Sequence, residues 1–201
     1  MSAAEANVET VLRDRVAAAH NRRTEELHRG TETAARRLAD RLATAATFRL
    51  VLEGPGGGEW YLVLRDGMMR VEASSDEAPV LTLFQAIEGW RRLLAAEAGF
   101  FGGDPGRTEL SRERVARLKV LSGALEFRLS GVEGGRPVIA LLQLGAGRDR
   151  LAPTTVLTLR AEDARLIRTG ELTPQEAVMR GLVQMSGDLS LAIQVGFALF
   201  M

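Results

Sequence analysis

The sequence predicts an α/β domain of the α+β type, an antiparallel-dominated β-sheet with helices packed on one face, behind an N-terminal helical extension. Three observations predict it. FRLVLEGPGGGEWYLVLRDGMMRV alternates apolar and polar residues around a glycine-rich turn and an Asp66-Gly67 turn, as paired strands do. APVLTLFQAIEGWRRLLAAE passes from a β-type run to a helical period. LTPQEAVMRGLVQMSGDLSLAIQVGFALF then sets a helix start, a glycine break and an alternating apolar run in succession.

The elements follow in order. Residues 5–46 hold no proline and only Gly30, and are rich in Ala, Glu and Arg, which favours one long helix or two broken near Gly30. Val8, Val11, Leu12, Val16, Ala19, Leu27, Ala34, Leu38 and Leu42 draw a thin apolar stripe that packs on the chain's own sheet or contacts a partner. The organisation expected is a helical segment 1–43 and one domain 44–201. A strand is expected over Val80–Phe84, then a helix with Ile87, Trp90, Leu93 and Leu94 on one face. Thr173 and Pro174 cap and open a short helix, which Gly181 ends. Ser122-Gly123 and Ser186-Gly187 read as hairpin turns.

Parts of the pattern run twice. Phe48-Arg49-Leu50 recurs as Phe127-Arg128-Leu129, Val80-Leu81-Thr82-Leu83 as Val156-Leu157-Thr158-Leu159, and the Ser-Gly of 122–123 as that of 186–187. Such self-similarity marks one supersecondary unit used twice. The halves expected are 44–129 and 124–201, sharing a segment Ala124–Leu129 that closes the first and opens the second.

Composition narrows the chemistry. Twenty-six basic and 26 acidic residues cancel, so no field draws the chain to nucleic acid or an anionic membrane. The absence of cysteine excludes disulfides and thiolate chemistry and suits a cytoplasmic setting. No apolar run reaches the roughly 18 residues of a membrane span, so no integral insertion is expected. No catalytic or metal-binding set emerges. His20 and His28 stand eight apart in the helical region and read as solvated surface residues. Asp66, Asp76, Asp104, Asp149 and Asp188 lie in turn contexts. GPGGGE lacks the Gly-Lys-Ser/Thr ending of a phosphate loop and leads into a strand. No cofactor is expected.

The tail, with the preceding LTLRAEDARLIRTGE and the strand–turn–strand opening near residue 48, resembles the sterol carrier protein family, the type-two sterol-binding domain. That family ends in a pattern of the form G-x-L-T-P-Q-x-A-x-x-x-G with a later Gly-Asp/Asn. The resemblance implies a sterol-carrier-like fold and a non-enzymatic carrier, which shelters a sterol, fatty acyl chain, quinone or hopanoid in a tunnel between sheet and helices. Methionines adapt to irregular ligands. Together with the family's use of this space, they make Phe84, Trp90, Leu94, Phe100, Phe101, Ile167, Met179, Leu182, Met185, Ile193, Phe197 and Phe200 the expected ligand-contacting residues. Phe100 and Phe101 serve as core plugs or as a flap, and Val195–Phe200 as a lid. The other reading is an accessory module of the same fold without a working cavity. A homodimer or protein partner would use the N-terminal helix or the tail.

Overall fold

In a computed structural model, residues 7–29, 32–95 and 110–200 are described, and they hold eight strands and seven helices. Helix α1 runs without interruption through Val8–Val11, a π-helical stretch Leu12–Ala17 and Ala18–His28. Helix α2 follows at Glu32–Leu42. Strands β1 (Ala46–Glu53), β2 (Gly58–Arg65) and β3 (Met68–Glu72) form a meander. Its second turn places Asp66 and Gly67 at φ 51° and 72°, the paired positive values that a two-residue hairpin of this hand requires. Strand β4 (Leu81–Ala86) runs directly into α3 (Ile87–Ala95), and α4 (Arg112–Lys119) precedes β5 (Gly123–Ser130), β6 (Val138–Leu144) and β7 (Thr155–Arg160). Helix α5 (Ala161–Thr169), α6 (Pro174–Met179), β8 (Gln184–Gly187) and α7 (Leu189–Phe200) complete the order.

All eight strands join one sheet in the order β3-β2-β1-β4-β6-β5-β7-β8, antiparallel except where β1 meets β4 and β5 meets β7. Those two parallel contacts reveal the internal pattern. The triplet β2-β1-β4 and the triplet β6-β5-β7 pair with the same directions. The registers agree residue by residue: Phe48 faces Leu81 as Phe127 faces Leu157, and Leu50 faces Leu83 as Leu129 faces Leu159. The seam lies between β4 and β6, so β5 pairs with β6 and β7 and does not close the first triplet against β4. The shared segment expected over Ala124–Leu129 is corrected accordingly. A hairpin partner, β6, stands between the two parallel pairs.

Ser122-Gly123 and Ser186-Gly187 are not hairpin turns: Gly123 opens β5, and Ser186 and Gly187 lie in β8. A Cβ on Gly187 would stand 2.1 Å from the Thr154 carbonyl oxygen at φ +88°, so glycine is needed there for close strand approach. Val195–Phe200 is helical and belongs to α7. It buries Leu191, Ala192, Val195 and Ala198 in the main core, which answers the need of an apolar run for cover.

The main core unites α1, α3, α4 and α7 with the face of the sheet carrying Leu50, Leu62, Leu64, Leu83, Leu125 and Leu142. A second cluster joins Leu93 of α3 and Ala161 of α5 to Leu129, Val132 and Val138. The opposite face holds a small cluster of strand residues, Phe84, Ala124 and Leu141.

The N-terminal helix docks by polar contacts as well. Thr24 Oγ1 donates to the Gly67 carbonyl at 2.7 Å, and Asn21 pairs with both backbone groups of Met69. His20 Nε2 lies 3.1 Å from the same Gly67 oxygen, and Arg41 donates to Thr24 Oγ1 and to the His20 carbonyl. His20 is 7% exposed, which corrects the expectation of a surface histidine. Helical spacing puts it on the Val16–Thr24 side of α1, beneath the β2–β3 turn, a tertiary placement that the isolated stripe does not reveal.

Candidate functional site

The face of the sheet toward the helices is a set of cross-strand rows fixed by register. One row runs Leu52, Gln85, Ala140, Phe127, Leu157, Met185, and the next passes Val138, Leu129, Leu159. Because corresponding residues of the two triplets occupy matching places, their burial can be compared directly. Phe48 is 8% exposed and Leu83 3%, both sealed in the main core. Their counterparts Phe127 and Leu159 are only half-buried and sit at the edges of the clusters. Met185, which opposes Leu157 as Leu144 opposes Leu81, is half-buried where Leu144 is 2% exposed. An incompletely covered apolar strip thus runs over β5, β7 and β8.

Further half-buried apolar residues stand on neighbouring elements. Ile167 of α5 and Leu182 and Val183 ahead of β8 are half-buried, Val183 packing with Met185 and Phe127 against the main core. Helix α6 is held by a capping box, in which Thr173 Oγ1 accepts from the Glu176 amide at 3.1 Å and Glu176 accepts from the Thr173 amide at 3.0 Å. Glu176 is held below the usual carboxylate range chiefly by that backbone donor. Its C-terminal residues Val178 and Met179 are exposed, Met179 at 87%. Thr173→Ala is expected to cost about 1 kcal/mol in a denaturant titration, the usual value of an N-cap hydroxyl. A change under a few tenths would show that α6 is fixed by its flanks alone.

Residues 107–199 match the model of the SCP-2 sterol transfer family. The match covers a little under half of the chain, and over that stretch the chain is similar to that family. The match contains all of the half-buried strip and none of the first triplet. Solved structures similar to the chain include the sterol carrier protein domain 2 of Helicoverpa armigera, 19% identical, TM-score 0.30, covering 37% of this chain and 63% of that one. Sterol carrier protein 2 from Yarrowia lipolytica is 17% identical with a TM-score of 0.31 and coverages of 38% and 65%. Palmitated SCP2L2 from Aedes aegypti is 19% identical, TM-score 0.32, with 55% of this chain and 91% of that chain covered. The chain thus spans less than two thirds of the first two. No curated protein matches it.

Within the matched segment, Ile167, Leu182 and Met185 of the expected contact set are each half-buried, Met185 packing against the main core, and Met179 is exposed on the helix before β8. Ile193 is 52% exposed on the outer side of α7. Phe197 and Phe200 lie in α7, but their side chains fall outside the described residues, as do Phe100 and Phe101 entirely. Trp90 and Leu94, ahead of the SCP-2 segment, are packed in the main core at 3% and 7% exposure. Phe84 lies on the other face of the sheet, because it alternates with Leu83 along β4. There the guanidinium groups of Arg49 and Arg150 stand 5.8 and 5.5 Å from its ring centre. Arg49 also makes a bidentate pair with Glu59, which holds the Glu59 carboxyl below its ordinary range. Phe127 and Leu159, both half-buried on the strip, are not among the residues expected from the sequence. The recurrence of Phe-Arg-Leu flags Phe127, but the contrast in cover between the triplets is a tertiary property.

Two surface clefts are lined largely by charged residues. One of about 440 Å³ lies between α3 and the β5–β6 connection and includes Glu88, Arg92, Glu133 and Arg136. The other, about 430 Å³, follows the β2–β3 edge with Arg65, Asp66, Arg70, Glu72 and Glu77. Neither has the apolar lining of a lipid site. Among the described residues no group of three His, Asp or Glu is placed to hold a metal, and no helix is long and apolar enough to cross a membrane.

Proposed function

We propose that the chain is a non-enzymatic carrier that holds an apolar small molecule along the strip of Phe127, Leu159, Ile167, Leu182 and Met185. The carrying observation is a contrast between equivalent sheet positions: those sealed at Phe48, Leu83 and Leu144 are left half-covered at Phe127, Leu159 and Met185, inside the segment that matches the model of the SCP-2 sterol transfer family. The ligand class is a sterol, fatty acyl chain, quinone or hopanoid, and the cytoplasm is the proposed setting. Covering about ten methylenes at roughly 0.8 kcal/mol each gives about 8 kcal/mol before ordering costs, hence micromolar affinity or weaker. Binding of that strength suits a carrier that must release.

A fluorescent fatty acid is expected to bind saturably, and Phe127→Asp to weaken it at least about tenfold, because a charge would enter an apolar contact. Solvent extraction of the purified protein should yield a lipid by mass spectrometry. Neither saturable binding nor an extracted lipid would leave the second reading, an accessory module of this fold without a cavity. That reading draws on one observation: Trp90 and Leu94, expected on the tunnel wall, are packed core.

A further inference from the structure

Strand β3 ends the sheet, and the Asp66-Gly67 hairpin decides which of its backbone groups face outward. In a two-residue hairpin the flanking residues, here Arg65 and Met68, form a hydrogen-bonded pair. Arg70 and Glu72 therefore also bond toward β2, while Met69 and Val71 aim their N–H and C=O away from it. Asn21 of α1 meets Met69 there. Its amide nitrogen donates to the Met69 carbonyl at 3.1 Å, and its oxygen accepts from the Met69 amide at 2.7 Å, the bond pair that a neighbouring strand would supply. Val71 has no such partner among the described residues. The strand also lacks the usual edge protections, having no proline, no lysine and no bulge in its register with β2.

The two halves of α1 are held in different ways. Up to the end of the π-helical stretch Leu12–Ala17, the side chains of Val8, Val11, Leu12, Val16 and Ala17 anchor the helix in the main core. Beyond it, the buried residues of Ala18–His28 are His20 and Thr24, so this half rests on the hairpin by hydrogen bonds to Gly67 and Met69. A segment tied by exposed-edge hydrogen bonds opens at lower free energy than one packed by apolar side chains. The π-helical stretch, where the regular ladder is interrupted, divides the two.

The side chains of the edge indicate what it would take. Met69 and Val71 turn toward the main core, so Arg70 and Glu72 stand on the other face. Among the described residues neither makes a hydrogen bond or a close ion pair, the nearby Arg65 pairing with Glu77 instead. Set antiparallel to itself about a two-fold axis at Val71, the strand is self-complementary. Val71 bonds to its own copy through the outward N–H and C=O, and Arg70 and Glu72 of one chain stand opposite Glu72 and Arg70 of the other. Opposite charges directly across an antiparallel pair stabilise it.

We infer that the β3 edge is a pairing surface for a second copy of this chain, and that the Ala18–His28 half of α1 is a guard which Asn21 latches over it. The inference is independent of the carrier reading.

Sedimentation velocity of the full chain over a concentration series tests it. Asn21→Ala is expected to dimerise at least about tenfold more tightly than the unsubstituted chain, because the edge loses its latch. Adding Glu72→Arg places like charges across the pair twice and is expected to remove most of that gain, and adding Arg70→Glu as well restores both the opposite pairs and the gain. Melting curves check that the variants fold. A measurement on the unsubstituted chain needs no variant: the amides of residues 18–28 and of Met69 are expected to exchange hydrogen at least about tenfold faster than those of residues 8–17. Equal exchange in the two halves, an Asn21→Ala chain that associates no more than the unsubstituted one, or association indifferent to the charges at 70 and 72 overturns the inference.

Discussion

Leu12→Ala is expected to lower the unfolding free energy by about 3–4 kcal/mol, the range for emptying a buried leucine site. Leu12 is 0% exposed and lies in the π-helical stretch of α1, in one cluster with Leu62, Leu64 and Met69 of the sheet. The helix cannot settle into the space easily, because Asn21, Thr24 and His20 tie it to the β2–β3 turn. Urea titration should therefore show one cooperative transition shifted to lower denaturant with its slope unchanged. A loss below about 1 kcal/mol, or a separate early phase, would mean that residues 1–43 form an appendage. We propose instead that they are part of the same folding unit as residues 44–201.

Stability is expected to fall as pH drops from about 6.5 toward 4, with His20 as the cause. Its pKa is lowered to about 4, first by burial, then by the positive charge of Arg41, against a raising contribution from the Gly67 carbonyl. The folded state thus refuses a proton that the unfolded chain accepts near 6.5. Below that value the unfolded state binds more protons and gains, so full stability is present above about 6.5 and is lost progressively down to about 4. At 1.36 kcal/mol per unit, and allowing for solvent screening, the loss is about 2 kcal/mol. Glu59, Glu77 and Glu176 are all held below their ordinary range, so their contributions vanish at lower pH than the onset of the histidine effect. Melting temperatures between pH 5 and 6.5 should therefore slope in the native chain and flatten in His20→Asn. An equal slope in both would assign the loss to other groups.

Much of the architecture was legible in local signals. The Asp66-Gly67 turn, the Thr173-Pro174 helix start and the buried face of Ile87, Trp90, Leu93 and Leu94 each follow from short-range chemistry, and the structure has all three. The doubled Phe-Arg-Leu and Val-Leu-Thr-Leu strings mark equivalent register positions. Sequence did not tell which strand stands at the seam, because β4 can pair with any apolar edge and only the assembled sheet chooses β6. The residues of the proposed site were harder for the same reason. Met185 and Trp90 are equally apolar in the sequence, and what separates them is how much of each the other elements cover.

Strand β8 occupies beside β7 the place that β6 occupies beside β4, and it is only four residues long. The pairing that joins the two triplets is directional: the open side of one β4-like strand receives the β6-like strand of the next unit. Nothing in that rule stops after two. Such head-to-tail addition, carried between molecules, builds a filament. Strand β8 and the α7 helix behind it, held by the Thr155–Asp188 and Asp188–Leu191 hydrogen bonds, cover the open side of β7. A molecule stripped of them would present β7 as a long edge with unpaired backbone groups, open to association.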